Sequence, residues 1–221
     1  HGTNAQLDHR GIGDVWTMTA REYHESPPRV RIRYRLFRNP FVMFLLGPVL
    51  IFLWKNRFSG KDATRKERTS TLFTNLANLG IITGGSVAIG FMPFILILLP
   101  VILIAGMIGV WLFYVQHQFD PGYWARDGNW NEVDAALEGS SYYDMPRFFQ
   151  WLFGNIGIHH IHHLYPRIPN YRLRNCYTEN PEVQLSNPLT VRRSLKSIRL
   201  NLWDETNRKF LSFKESNRLY G

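Results

Sequence analysis

The chain divides into polar, basic stretches and long uncharged apolar runs. Residues 1–39 and 55–70 are polar and rich in Lys and Arg, and apolar runs follow each of them. The first run, Pro40–Trp54, carries no charge, and Gly47-Pro48 interrupts it. A helical span needs about 20 apolar residues, so this shorter run predicts a re-entrant or interfacial segment. Leu76–Met92 and Pro93–Val115 form one long tract without a charge. Its length fits two spans joined by a tight turn at Phe91-Met92-Pro93, because the residue before a proline resists continuing a helix. Gly80, Gly84, Gly85, Gly106 and Gly109 would let the two helices pack closely. One very long helix or a buried core is the alternative, and the unbroken absence of charge favours the hairpin. Residues 118–221 contain no further span.

The polar stretches carry weaker patterns. Asp8–Asp14 is turn-rich. Between Arg29 and Arg38, arginines alternate with Val30, Ile32, Tyr34 and Leu36. That alternation reads as a half-buried strand or an interfacial segment, and basic residues just before an apolar run favour the interface. Leu189–Trp203 mixes Arg192, Arg193, Lys196 and Arg199 with Leu195, Ile198, Leu200 and Leu202. It predicts a basic amphipathic helix on a membrane surface, or equally a solvated C-terminal helix.

Charge sharpens this picture. The net charge is +9 and the pI about 9.9, which suits either nucleic acid or an anionic membrane surface. The basic residues avoid the apolar runs, which is the pattern of a membrane protein with basic cytoplasmic loops, so residues 55–70 are expected in the cytoplasm. A nucleic-acid binder is the weakest reading. The mean hydropathy of −0.21 implies that much of the protein lies outside the lipid. Cys176 is the single cysteine of a chain of 221 residues, within the single-domain range. It excludes an internal disulfide, fits a reducing compartment, and is itself expected to have no special role. The opening segment has no signal-peptide pattern, and His1 is not a start methionine, so the chain reads as part of something longer.

The chemistry concentrates in Gly157-Ile158-His159-His160-Ile161-His162-His163-Leu164, which holds four of the eight histidines. In a helix, His159, His162 and His163 stand at i, i+3 and i+4 on one face. Three converging neutral imidazoles make a transition-metal site, and a solvated histidine run is the bland alternative. His117 lies where the hairpin would leave the membrane. If His1, His117 and His159–His163 share a site, they share one side of the membrane with the basic loop. Pro40–Trp54 then cannot cross once.

Here the motifs resemble a known family. His159-x-x-His162-His163, followed by Leu164-Tyr165-Pro166-Arg167-Ile168-Pro169-Asn170-Tyr171, resembles the last histidine box of membrane fatty-acid desaturases. His1-Gly2-Thr3-Asn4, with Arg10-Gly11-Ile12-Gly13-Asp14-Val15-Trp16-Thr17, is similar to the stretch after the second box, whose final histidine would be His1. Val115-Gln116-His117-Gln118-Phe119 resembles an extra ligand position at the end of the last span. The nearest branch is the bacterial acyl-lipid, omega-6 (delta-12-like) type, and the resemblance covers residues 1–175.

That resemblance implies an all-α integral membrane protein. A transmembrane hairpin would carry a cytoplasmic helical cap, residues 117–175, holding a histidine-rich diiron site. Residues 176–221 would form a cytoplasmic amphipathic tail. His1, His117, His159, His162 and His163 would be metal ligands. Two irons with dioxygen as co-substrate would place a cis double bond in an acyl chain of a membrane lipid. A ferredoxin or cytochrome-type protein would supply electrons, with the site on the cytoplasmic face of a bacterial plasma membrane and no nucleic acid involved. His160 falls in a spacer position and is expected to support the ligands rather than join them. Asn155, one turn before His159, would orient a ligand or cap a turn. His9 and His24 match no box and are expected on the surface. The family's first box, HxxxH, and the first two histidines of the second are absent, so the chain is expected to be N-terminally truncated and inactive alone. The same metal site would serve a hydroxylase or another oxygenase. A non-enzymatic membrane protein with a structural zinc is the alternative of a different class.

Overall fold

A computed structural model describes residues 3–10, 14–184 and 188–221. Its elements in chain order are β1 (Met18–Thr19), α1 (Ala20–Glu25), α2 (Pro28–Phe37), α3 (Arg65–Ile89), α4 (Phe91–His117), α5 (Glu132–Leu137), β2 (Tyr143–Asp144), α6 (Arg147–Leu152), α7 (His159–Leu164), α8 (Asn170–Glu179), β3 (Leu189–Thr190), α9 (Val191–Ser194), β4 (Leu202–Asp204), β5 (Lys209–Leu211) and α10 (Phe213–Tyr220). Two compact units emerge: residues 36–111, and residues 1–35 together with 112–221.

The 36–111 unit is helical and largely apolar on its outside. Val42–Leu46 and Val49–Trp54 wind into π-helical turns separated by Gly47-Pro48. This run packs on the stretch of α4 from Gly106 to Trp111. A methyl added at Gly106 would lie 2.9 Å from Pro48 Cβ, and Phe44 meets Trp111 edge-on at 5.3 Å. α3 begins inside the basic stretch, because Thr64 and Glu67 form a reciprocal capping box at Arg65. The break between α3 and α4 falls at Gly90, one residue before the expected Phe91-Met92-Pro93. Gly90 takes φ +89°, a region open to glycine and closed to most other residues, and Pro93 sits within the first turn of α4. Of the small residues expected to mediate close packing, Gly85 meets the Phe94 ring, whereas Gly80, Gly84 and Gly109 face open space. Among the described residues, α3 and α4 are long and apolar enough to cross a membrane.

The second unit departs from the all-α expectation. β1 pairs in parallel with β4, and β4 pairs antiparallel with β5, giving a three-stranded sheet in the order β1-β4-β5. β2 and β3 form a second, parallel pair. The strands are two or three residues long and serve as clamps between helices. The alternation at Arg29–Arg38 resolves as helix α2, not a strand. Pro28 suits a first helical turn, and Val30 and Tyr34, four apart, both turn toward the cluster of Met18, Tyr23 and Leu202. Tyr34 is fully buried; its hydroxyl receives the Met18 N–H at 3.1 Å and donates to the Asn201 carbonyl.

Leu189–Trp203 is likewise not the continuous amphipathic helix expected. It breaks into β3, α9, a 3-10 turn at Leu195–Arg199, and β4. Leu202 and Trp203 are buried against residues from the beginning of the chain, so residues 176–221 close the core rather than trail from it.

Arg126 organises one flank of this unit. It donates to Asp8 at 2.7 Å, to Glu205 at 2.8 Å and to Glu22 at 3.2 Å, while Arg10 also pairs with Glu22 at 2.7 Å. Burial pushes the Glu22 carboxyl up, but hydrogen bonds from Arg10 and the Thr19 N–H outweigh it and hold the group below its ordinary value. A lowered carboxylate stabilises the fold above its unfolded pKa and loses that contribution as pH falls through the folded value. Arg126→Met should therefore cost about 1 kcal/mol at neutral pH, a cost that shrinks below about pH 4. Thermal unfolding across pH, in detergent, measures it.

Candidate metal centre

Three imidazoles converge where α4 ends. His117 is the last residue of α4; His159 opens α7, and His163 lies one turn further on the same face. The Nε2 atoms of His117 and His163 are 3.2 Å apart, and those of His163 and His159 are 3.0 Å apart. All three residues are buried, and one ring nitrogen from each lies within 4.8 Å of the others.

The His163 nitrogen has too many partners for hydrogen bonding alone. A neutral imidazole Nε2 offers either one proton or one lone pair. Two short nitrogen contacts on that atom cannot both be well-formed hydrogen bonds, whereas one cation can receive a lone pair from all three rings. Metal–nitrogen bonds of ~2.1 Å at right angles place neighbouring ligand atoms ~3.0 Å apart, which matches the observed separations.

The surroundings prepare these nitrogens for a metal. His117 Nδ1–H donates to the Phe113 carbonyl at 2.8 Å, which leaves the Nε2 lone pair pointing into the cluster. Burial first, and the neighbouring imidazoles second, push His163 down to about 3 and His159 well below its ordinary value. Both rings are therefore neutral at physiological pH, as ligands must be.

The loop before α7 is fixed by a chain of polar contacts. Gln116 Nε2–H donates to the Ile156 carbonyl at 2.9 Å, and the Ser141 N–H donates to the Gln116 carbonyl at 3.0 Å. Gln118, on the other side of His117, donates to Thr17 Oγ1 at 2.9 Å. Gly154 and Asn155 both take positive φ, +63° and +56°, and the Asn155 side chain donates to the Asn170 carbonyl at 3.1 Å. Asn155 thus shapes the turn rather than orienting a ligand. At Gly157 a Cβ would lie 2.5 Å from the Tyr143 carbonyl oxygen and 2.6 Å from Gln150 Oε1. Gly157→Ala should force this loop away from β2 at a cost of about 1–3 kcal/mol and lower metal retention. Thermal unfolding and metal content of the purified variant measure both.

The remaining histidines divide clearly. His162 sits beside the triad with its ring 5.5 Å from that of His159, but its nitrogens are not among the three clustered ligand atoms. His160 points the other way: its Nε2–H donates to the Val183 carbonyl at 2.9 Å, tying α7 to the turn Pro181–Val183. His24 is half-buried rather than exposed, within 3.0 Å of Ser216 Oγ. His9 is exposed, 3.6 Å from Asp127. Cys176 packs against the cluster of Ile158, Ile161 and Leu173. His1 lies outside the described residues. Sequence reasoning missed Phe113, Ser141 and Ile156 because each acts through its backbone carbonyl or amide. Only Phe113, one helical turn before His117, had a signal available in its spacing.

A family profile described as "Fatty acid desaturase" matches residues 4–193. The chain belongs to the fatty acid desaturase family. A relative named "Fatty acid desaturase" from Bacillus subtilis (strain 168) is 47% identical over 214 residues, covering 97% of this chain and 61% of that protein. The "sn-1 oleoyl-lipid 12-desaturase" of Synechocystis is 28% identical over 179 residues, covering 73% of this chain and 46% of that protein. A short stretch of 72 residues is 35% identical to the chloroplastic "Omega-6 fatty acid desaturase" of Spinacia oleracea. The chain thus spans roughly half to three fifths of the length of the first two relatives. Desaturases are membrane-associated proteins, and the two long apolar helices of this chain suit that setting.

Proposed function

We propose that this chain forms part of an oxygen-dependent acyl-lipid desaturase that introduces a cis double bond into an acyl chain of a membrane lipid. The observation that carries the reading is the buried triad His117, His159 and His163, with Nε2 atoms 3.0 and 3.2 Å apart. We assign these three as iron ligands, and His162, one ring away, as a fourth drawn from the same helix. His1 is assigned to the same centre on the resemblance of its flanking motif alone.

Bound iron would supply the dioxygen-activating, two-electron oxidising capacity that hydrogen removal from adjacent methylenes requires. The residues of this chain do the rest. The Phe113 carbonyl holds the His117 ring in one tautomer. Gln116 and Ser141 tie the end of α4 to the loop that carries α7, so the ligands on the two helices keep their spacing. All three rings are buried, which suits a centre whose chemistry needs water excluded. The overall reaction reduces dioxygen to two waters, using two hydrogens of the acyl chain and two electrons with two protons from outside. A one-electron carrier such as a ferredoxin or a cytochrome-type protein fits that need. The basic residues flanking the apolar helices support a site on the cytoplasmic face of a bacterial plasma membrane.

Lipid analysis tests the reading. Cells expressing the gene in full should gain acyl chains with one additional cis double bond, seen by gas chromatography and mass spectrometry. A hydroxylated chain would assign the same metal centre to oxygenation instead. An unchanged lipid profile with zinc in the purified protein would assign it to structure.

A further inference from the structure

The helix α6, Arg147–Leu152, is built inside out. Its one buried residue is polar: Gln150 donates to the Tyr143 carbonyl at 2.9 Å. Its apolar residues face outward, with Phe148 62%, Phe149 44%, Trp151 72% and Leu152 52% exposed. In water this arrangement wastes four large side chains, so something apolar is expected to cover them.

Two features identify the cover. First, α6 ends four residues before Ile156, whose carbonyl receives the Gln116 side chain from the last turn of α4. The loop leading out of α6 is therefore tied to the last turn of α4. Second, a cleft of about 430 Å³ at the foot of α6 is lined by Arg147 and Arg174, with Asp144 as the one acidic side chain in it. Among the described residues neither arginine makes a salt bridge, and the cleft carries a net charge of +1 from two arginines and one aspartate. Apolar aromatics beside a cationic cleft suit the headgroup level of a bilayer, where Trp and Phe anchor and guanidinium groups bind phosphate.

We propose that α6 is a membrane-interface anchor: Phe148 and Trp151 insert at the acyl boundary, while Arg147 and Arg174 hold the phosphate of an anionic lipid. The anchor would fix the loop leading into α7 at the membrane surface.

Spin labelling in lipid nanodiscs tests this. A nitroxide is placed at Trp151→Cys and separately at Phe148→Cys, both in a Cys176→Ser background, with Glu132→Cys on the exposed side of α5 as the control. Collision with dissolved oxygen, relative to a water-soluble nickel complex, should be severalfold higher at both α6 positions than at the control. The ratio should rise further when phosphatidylglycerol is added to phosphatidylcholine, and Arg147→Gln/Arg174→Gln should remove that rise. A ratio at both α6 positions equal to the control would show a solvent-facing helix. Collisions suppressed with both reagents would show a protein cover. Either result overturns the anchor, and an absent lipid response overturns the role of the arginines.

Discussion

Replacing His163 with alanine should reduce desaturation by the whole protein at least ~100-fold and strip iron from it, more than loss of a supporting hydrogen bond would cost. His163 supplies the nitrogen that both other members of the triad approach, at 3.2 Å from His117 and 3.0 Å from His159. Without it two imidazoles of the triad remain, His117 and His159, with ring centroids 4.9 Å apart. The contrast with His160 makes the prediction specific. His160 is also buried and lies in the same helix, but its Nε2–H is committed to the Val183 carbonyl. His160→Ala should lower the unfolding temperature and leave iron per folded chain near the wild-type level. Metal analysis of both variants, with thermal unfolding in parallel, separates a ligand from a packing residue.

The second large effect lies far from the histidines. Trp203→Ala should destabilise the unit formed by residues 1–35 and 112–221 by about 3–5 kcal/mol. Trp203 is 1% exposed, meets Phe210 at 5.1 Å between ring centroids, and packs in one cluster with Ala5, Leu7 and Trp124. It also stands in β4, opposite Thr19 of β1. The cavity would therefore open at the seam between the beginning and the end of this chain. Chemical denaturation in detergent measures the cost. A loss below about 1 kcal/mol would show that Trp203 is not packed as described.

The histidine cluster was legible where chemistry is local. The spacing of His159 and His163 places them on one face as soon as the segment is helical, and α7 realises it. His117 came from a resemblance, since nothing in a helix terminus forty residues upstream names its partner. The two long apolar helices were legible in outline from the absence of charge. Their junction lies one residue before the turn that Pro93 predicts, because Gly90 at φ +89° makes the break. The C-terminal part was the least legible. Leu200, Leu202 and Trp203 alternate with basic residues as an amphipathic helix would, and pairing of β4 with β1 overrode that pattern. A two-residue parallel pairing across most of the chain leaves no periodic trace. α2 failed in the opposite direction, since strict alternation of arginine with apolar residues hid a helical stripe through Val30 and Tyr34.

The central claim is that His117, His159 and His163 hold iron. Iron content by mass spectrometry, together with X-ray absorption at the iron edge of the purified protein, tests it most directly. The account predicts bound iron with imidazole nitrogen scatterers at ~2.1 Å, and loss of that iron from a folded His117→Ala/His159→Ala/His163→Ala variant. Iron held at wild-type levels by that variant, or a wild-type site filled by zinc, would contradict it.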